Sequence, residues 1–328
     1  MQTESRASRS KTILTLLLVV LVWGFVVFLF FQRQAVYDWW RLRGYTAPSD
    51  VAALADQTTM KDSARRVFYV YHPAIEPREA FNQHCRDGEF TIVLGCYAQG
   101  RGIYIFRVDD PRLDGIEEVT AAHEFLHAAY DRLSKDERKR VDALTAEAYA
   151  NLDSQRIKDT VEEYRKHDAS VVPNELHSIL GTEAADLPTE LEQYYTKYFT
   201  NRKQIVKFSE AYESAFTDRK NLAKTYENQL STLKDQIESA NKDLEAEQSR
   251  LEEEAKNLQT SRNGADPDTF NNRIDAYNAD VNAYNRQVSR VQDMVDTYNQ
   301  TYEKYKELIV EQQDLFKAID SRPQQITN

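Results

Sequence analysis

Histidine is missing from the chain after His177. The six that exist (His72, His84, His123, His127, His167 and His177) all lie in its middle, so imidazole chemistry is confined there. Cysteine is nearly absent, with only Cys85 and Cys96, and their spacing is not that of a metal knuckle. The pair either closes a small disulfide loop, in an oxidising compartment, or stands as two buried thiols. A basic surplus is lacking too. Lys and Arg number 42 against 53 Asp and Glu, a net charge of −11, which argues against nucleic acid as a partner. Beyond about residue 207 only Gly264 remains of the nine glycines, as befits long uninterrupted helix. The 328 residues suffice for two domains.

The one long hydrophobic run is 12–31, uncharged and about as long as a bilayer core is thick. No small-residue cleavage site follows it, so a single transmembrane anchor is expected rather than a cleaved signal. Arg6, Arg9 and Lys11 before the run nearly balance Arg33, Arg41 and Arg43 after it. The short tail 1–11 is expected in the cytoplasm and the remainder outside the cell membrane, with Tyr37, Trp39 and Trp40 in the interfacial aromatic belt. Residues 32–65 read as a linker, in which 44–64 either stays irregular or forms a loosely packed helix. Strands are expected at 67–71, 90–94 and 102–108, each rich in β-branched and aromatic residues. Helices are expected at 115–132, from the cap Ser134 to about 152, at 155–167, at 171–183 and after Asp186. The fold class is therefore α+β, a small sheet with site-bearing helices over 66–204.

The chemistry sits in the first of these helices, in Thr120-Ala121-Ala122-His123-Glu124-Phe125-Leu126-His127-Ala128. Histidines four apart stand one above the other on a helix, so both imidazoles reach one metal ion. Glu124 lies beside them, where a carboxylate accepts a proton from an activated water. A catalytic zinc site needs a third protein ligand, and helix 171–183 offers Glu175, His177 and Glu183. An oxyanion donor is also required, for which Tyr164, His167, His177, Tyr194, Tyr195 and Tyr198 are available.

His123-Glu124-Phe125-Leu126-His127, followed by Asn174-Glu175, resembles the gluzincin group of zinc metallopeptidases. The resemblance covers roughly 66–200 and implies a zincin-like catalytic domain. It implies one zinc ion held by His123, His127 and Glu175, with Glu124 as general base and a peptide or protein as substrate. It also implies that the strand around 103–106 is the edge strand that binds the substrate main chain. Glu183, two turns beyond Glu175 and about 80° around the helix, remains the alternative third ligand.

From 205 to 322 the chain is polar and periodic. Tyr226, Leu230, Leu233, Ile237, Ala240 and Leu244 step by threes and fours, and so do Tyr277, Val281, Tyr284, Val288 and Val291 after a breaker at 263–267. This pattern predicts an antiparallel coiled-coil hairpin about 75 Å long, with 323–328 as a tail. Such an arm serves as a stalk or docks a partner or substrate. Two functions follow. One is a membrane-anchored zinc peptidase. The other is a non-catalytic envelope scaffold working through the coiled coil, with a vestigial or structural metal site.

Overall fold

The computed structural model describes residues 4–85, 93–262, 264 and 266–322, with side chains for these except 4–14 and 29–31. Helix α1 (Glu4–Phe31) leads into α2 (Arg33–Leu42), α3 (Ser49–Gln57) and α4 (Asp62–Val70). Strand β1 (Ala74–Glu76), α5 (Arg78–His84), β2 (Gly95–Ala98) and β3 (Gly102–Phe106) follow. Then come α6 (Ile116–Asp131), α7 (Lys135–Ala150), α8 (Gln155–His167), α9 (Val172–Glu183) and α10 (Thr189–Tyr195). Two long helices, α11 (Arg202–Ser261) and α12 (Pro267–Ile319), complete the chain. The protein is mostly helical with one small sheet, compatible with the α+β class.

Two compact units result. The first runs to Tyr212 and resumes at Ile319; the second is Glu213–Ala318. Among the residues whose side chains are described, no single helix is long and apolar enough to cross a membrane. Thr15–Phe28 and Arg33–Leu42, bent by 72°, meet that measure only as a pair. The expected span, 12–31, extends past the described side chains at both ends.

Two sequence expectations need correction. Residues 32–65 are not a linker. Val51, Leu54, Ala55, Met60 and Ala64 are buried in the main core of the first unit, and Tyr37, Leu42 and Ala47 pack against it. Residues 67–71 are not a strand but the second half of α4 and its cap. Ala64 and Phe68, four apart, are buried, so a helical face against the core overrides the β-propensity of Val67, Tyr69 and Val70. Most of the strand expected at 90–94 lies outside the described residues, and β2 is Gly95–Ala98. The remaining strand is β3, slightly shorter than expected. It pairs in parallel with β1 (Ile75 opposite Ile105) and antiparallel with β2 (Cys96 opposite Tyr104). The sheet order is β1-β3-β2, so β3 is central.

Gly115 precedes α6 as its cap; its φ of +96° and the Phe208 side chain 2.8 Å from where a Cβ would stand both require glycine. Ser134 caps α7 in a full capping box with Glu137. Helices α6 and α9 pack face to face. At their contact a Cβ on Gly181 would collide with Leu126 Cδ1 and come within 2.9 Å of the Tyr195 ring.

In the second unit the two long helices run antiparallel. Phe216 meets Phe316 with ring centroids 5.3 Å apart, Tyr305 donates to Glu227 (2.7 Å), Arg250 pairs with Asp280 (2.7 Å) and Arg273 with Glu254 (2.9 Å). Partners thus advance on one helix as they recede on the other. Leu244, Leu251, Leu258, Leu308 and Leu315 are buried along the seam, whereas Val288, Tyr302 and Phe316 stay well exposed, since two helices cover only one narrow stripe.

Two outcomes test this architecture. Gly181→Ala overpacks the α6–α9 contact and lowers stability by about 1–3 kcal/mol, read as a lower denaturant midpoint at unchanged slope. A fragment covering 207–323 sediments as a monomer; a dimer would show that the helices pair between chains instead.

Candidate metal centre

The face of α6 that carries His123, Glu124 and His127 is directed at α9 and at a cleft beside it. The two imidazoles sit with ring centroids 4.7 Å apart at 75°. Glu175, in the first turn of α9, reaches between them. Its Oε2 stands 3.7 Å from His123 Nε2 and its Oε1 3.7 Å from His127 Nε2. These distances are too long for hydrogen bonds. They are close to the separation of about 3.3 Å that two ligands show around a tetrahedral ion bound at about 2 Å. The potential ligand atoms of His123, His127 and Glu175 all lie within 4.8 Å of one another, and this is the group among the described residues that could hold a metal ion.

The carboxylate itself supports that reading. Glu175 Oε2 is buried and has no hydrogen-bond partner. A buried charged oxygen without a donor is expensive, and a cation is what would satisfy it. Burial pushes the Glu175 carboxyl up, but His127 and then His123 outweigh it and hold it below the usual range. For His123, burial lowers the pKa, yet Glu175, Glu124 and Glu183 raise it to about 9. His127 is lowered by its burial, opposed by Glu175 and reinforced by His123. Of the two imidazoles, the surroundings therefore favour the protonated form at His123 and disfavour it at His127. Ser178, one turn after Glu175, places its hydroxyl 3.3 Å from His127 Nδ1, the ring atom turned away from the cluster.

The cleft is lined by Val93, Leu94 and Gly95 on one side, by Thr120, His123, Glu124 and His127 on α6, and by Tyr164, Glu183 and Tyr212. Glu124 shares a wall with the histidines and is buried. Glu183 also faces the cleft but is engaged by Arg156 Nη1 at 2.7 Å and stands outside the ligand cluster. His177 is elsewhere, fully buried with its Nε2 3.0 Å from the Tyr194 hydroxyl and its carbonyl accepting from Tyr195. Burial first, and His127 second, push its pKa down to about 3, so it is a neutral core residue. Of the six hydroxyls and imidazoles considered as oxyanion donors, Tyr164 alone lines the cleft. Tyr194, Tyr195 and Tyr198 belong to the core, and His167 is exposed at the end of α8.

The expected edge strand is also corrected. Because β3 is the middle strand, the strand bordering the cleft is β2 with its lead-in at 93–95. Several residues that shape this border went unnoticed in the sequence. Gly95 lets the border approach α6. A Cβ there would fall 2.5 Å from Thr120 Cγ2 and 2.8 Å from Glu124 Cγ. Ser321, just after α12, is buried and donates its hydroxyl to the Val93 carbonyl (2.5 Å), while Asn82 Nδ2 donates to the Ser321 carbonyl (2.6 Å). The two cysteines form a disulfide that ties the end of α5 to β2. A separation of 228 residues between Val93 and Ser321 leaves no local pattern to read. Compared with known proteins, the chain matches no family profile, no curated protein and no solved structure.

The full chain is expected to take up one divalent ion. His127→Ala or Glu175→Gln weakens uptake by about 100-fold or more, Ser178→Ala by about 10-fold, and Glu183→Gln by only a few-fold, in competition with a chromogenic chelator. Uptake at pH 7 displaces the His123 proton. It should therefore release about one proton, and affinity should rise with pH towards 9, as calorimetry in buffers of different ionisation enthalpy would measure.

Proposed function

We propose that the protein is a membrane-anchored, zinc-dependent peptidase, with residues 12–31 as the anchor, a cytoplasmic N-terminus and the cleft on the outer side. The observation that carries the reading is the convergence of His123, His127 and Glu175 on one point, with Glu124 on the wall of the same open cleft. Two imidazoles and a carboxylate suit zinc better than calcium or magnesium, and a set of three leaves a position for water and substrate, unlike a closed structural site. The resemblance to gluzincins in His123-Glu124-Phe125-Leu126-His127 and Asn174-Glu175 points the same way.

When bound, zinc supplies the Lewis acidity that acidifies a water and polarises a peptide carbonyl. Glu124 accepts the proton of the attacking water and passes it to the departing amine. His123 and His127 serve as neutral ligands, and Ser178 fixes the His127 ring through Nδ1. An extended substrate adds its main chain along β2, whose outer side carries no strand among the described residues. Tyr164, which lines the cleft, is the residue assigned to stabilise the carbonyl oxygen. The coiled-coil arm recruits a substrate or protein partner.

Glu124→Gln is the decisive test. It removes the base and keeps the three ligands, so metal content stays near one equivalent while peptide hydrolysis falls by about 100-fold or more. Hydrolysis at the original rate in that variant would refute the role of Glu124, and a chain that never binds metal would refute the peptidase reading as a whole.

A further inference from the structure

Helix α2 has two faces of different chemistry. Towards the first unit it turns Tyr37, Asp38, Arg41 and Leu42. Asp38 binds Arg132 through two hydrogen bonds (2.9 and 2.8 Å), with both side chains largely buried. Arg132 follows directly on the last turn of α6, the helix of the metal cluster, and its guanidinium also lies over the Tyr71 ring at 5.2 Å. Arg41 donates to the carbonyls of Val70 (2.9 Å) and Arg101 (3.0 Å), and its own carbonyl lies 2.8 Å from His72 Nε2. The helix is thus clamped to the unit through Asp38 and Arg41, by the side chains of Arg132 and His72 and the carbonyls of Val70 and Arg101.

The opposite face carries Val36, Trp39 and Trp40, which are 44%, 59% and 63% exposed. These positions recur at the helical step of three and four, so they form one stripe. Two indoles left in water are unfavourable, and such a stripe marks a surface that is covered in use. Exposed Arg33 and Arg43 flank it, the latter with its guanidinium 5.6 Å from the Trp39 ring. The only acidic group of α2, Asp38, is turned inward. In a chain of net charge −11 this face is cationic and aromatic. It also follows directly on α1, whose Leu16, Leu17, Leu18, Val20, Leu21 and Trp23 are all more than half exposed.

We propose that the outward face of α2 docks on the headgroup layer of an anionic phospholipid membrane. Indoles favour that layer, and the arginines pair with lipid phosphates. Continuity with the apolar helix decides for lipid over a protein partner, because the stripe begins where the proposed anchor ends. The consequence is positional. Through Asp38–Arg132 the membrane surface holds the end of α6, so the metal cluster keeps a fixed orientation to the bilayer. This inference rests on the membrane reading of residues 12–31 and not on the peptidase reading.

The chain has three tryptophans, Trp23, Trp39 and Trp40, so fluorescence separates the two claims. The full-length W23F chain is reconstituted in vesicles of phosphatidylcholine and phosphatidylglycerol that carry a nitroxide either at the headgroup or in mid-chain. Trp39 and Trp40 should be quenched about two-fold more by the headgroup label. In parallel, the W39F/W40F double variant reports Trp23, which the mid-chain label should quench more. Trp23 quenched from mid-chain, with Trp39 and Trp40 reached by neither label but open to aqueous iodide, would overturn the docking face and leave the anchor standing. Emission insensitive to both labels and dependent on the protein-to-lipid ratio would assign the stripe to a second copy, and would equally overturn it. Trp23 unaffected by either label would overturn the anchor.

Discussion

Everything at the metal centre depends on how closely α6 and α9 approach. Both helices bury the face they share, and the contact tolerates no side chain at Gly181, where Leu126 and Tyr195 already fill the space. Tyr195 fastens the arrangement from behind by donating to the His177 carbonyl of α9 at 2.6 Å. Only at that separation does a glutamate side chain in the first turn of α9 come between two imidazoles one turn apart on α6. A carboxylate buried there without counter-charge would be destabilising by several kcal/mol. The same carboxylates favour positive charge at His123 and would favour a cation between the ligands.

Legibility in the sequence followed the range of the interaction. The two histidines and Glu124 are separated by at most one helical turn, and Ser134 with Glu137 is equally local, so spacing alone located them. The same holds for the hairpin, whose periodicity is a property of each helix. Glu175 was legible as one of three candidates on its helix. The resemblance put Glu175 first with Glu183 as the alternative, and the physical basis is the packing that turns Glu175 to the histidines, gives Glu183 to Arg156 and buries His177 in a cluster of tyrosines. Residues 67–71 were misread because strand propensity describes a surface, and here the surface was supplied by Phe125 against Phe68. Residues 32–65 look polar in sequence, yet one apolar side chain per turn is enough to seat a short helix on a core.

The cleft border shows what local pattern leaves out. Residues 93–95 are a short stretch with little regular structure, and such a stretch is a poor wall unless fixed. It is held from three directions. Phe106 donates to the Leu94 carbonyl at 2.7 Å, continuing the sheet; Cys96 is bonded to Cys85; and Ser321 donates to Val93. The last of these comes from the segment that follows α12, and Tyr212, on the opposite wall, belongs to α11 before it leaves the first unit. Tyr212 is thus part of the cleft wall, and Ser321 holds the border opposite it. Loss of either would alter the walls without touching a ligand.

The electrostatics of the cleft bear on why His123, His127 and Glu175 could hold a metal ion. Three carboxylates act on His123, and together they overcome the effect of its burial, which alone would strip its proton. One of the three, Glu183, is partly neutralised by Arg156; Glu175 and Glu124 face the imidazoles. A structural ion pair would place a cation against each carboxylate and close the site. Here a buried oxygen of Glu175 is left without a donor, and the histidines lie beside an open cleft. A proton satisfies one imidazole and none of the carboxylate geometry, whereas a divalent ion engages both imidazoles and the carboxylate at once. A divalent ion would therefore satisfy this group more fully than a proton does.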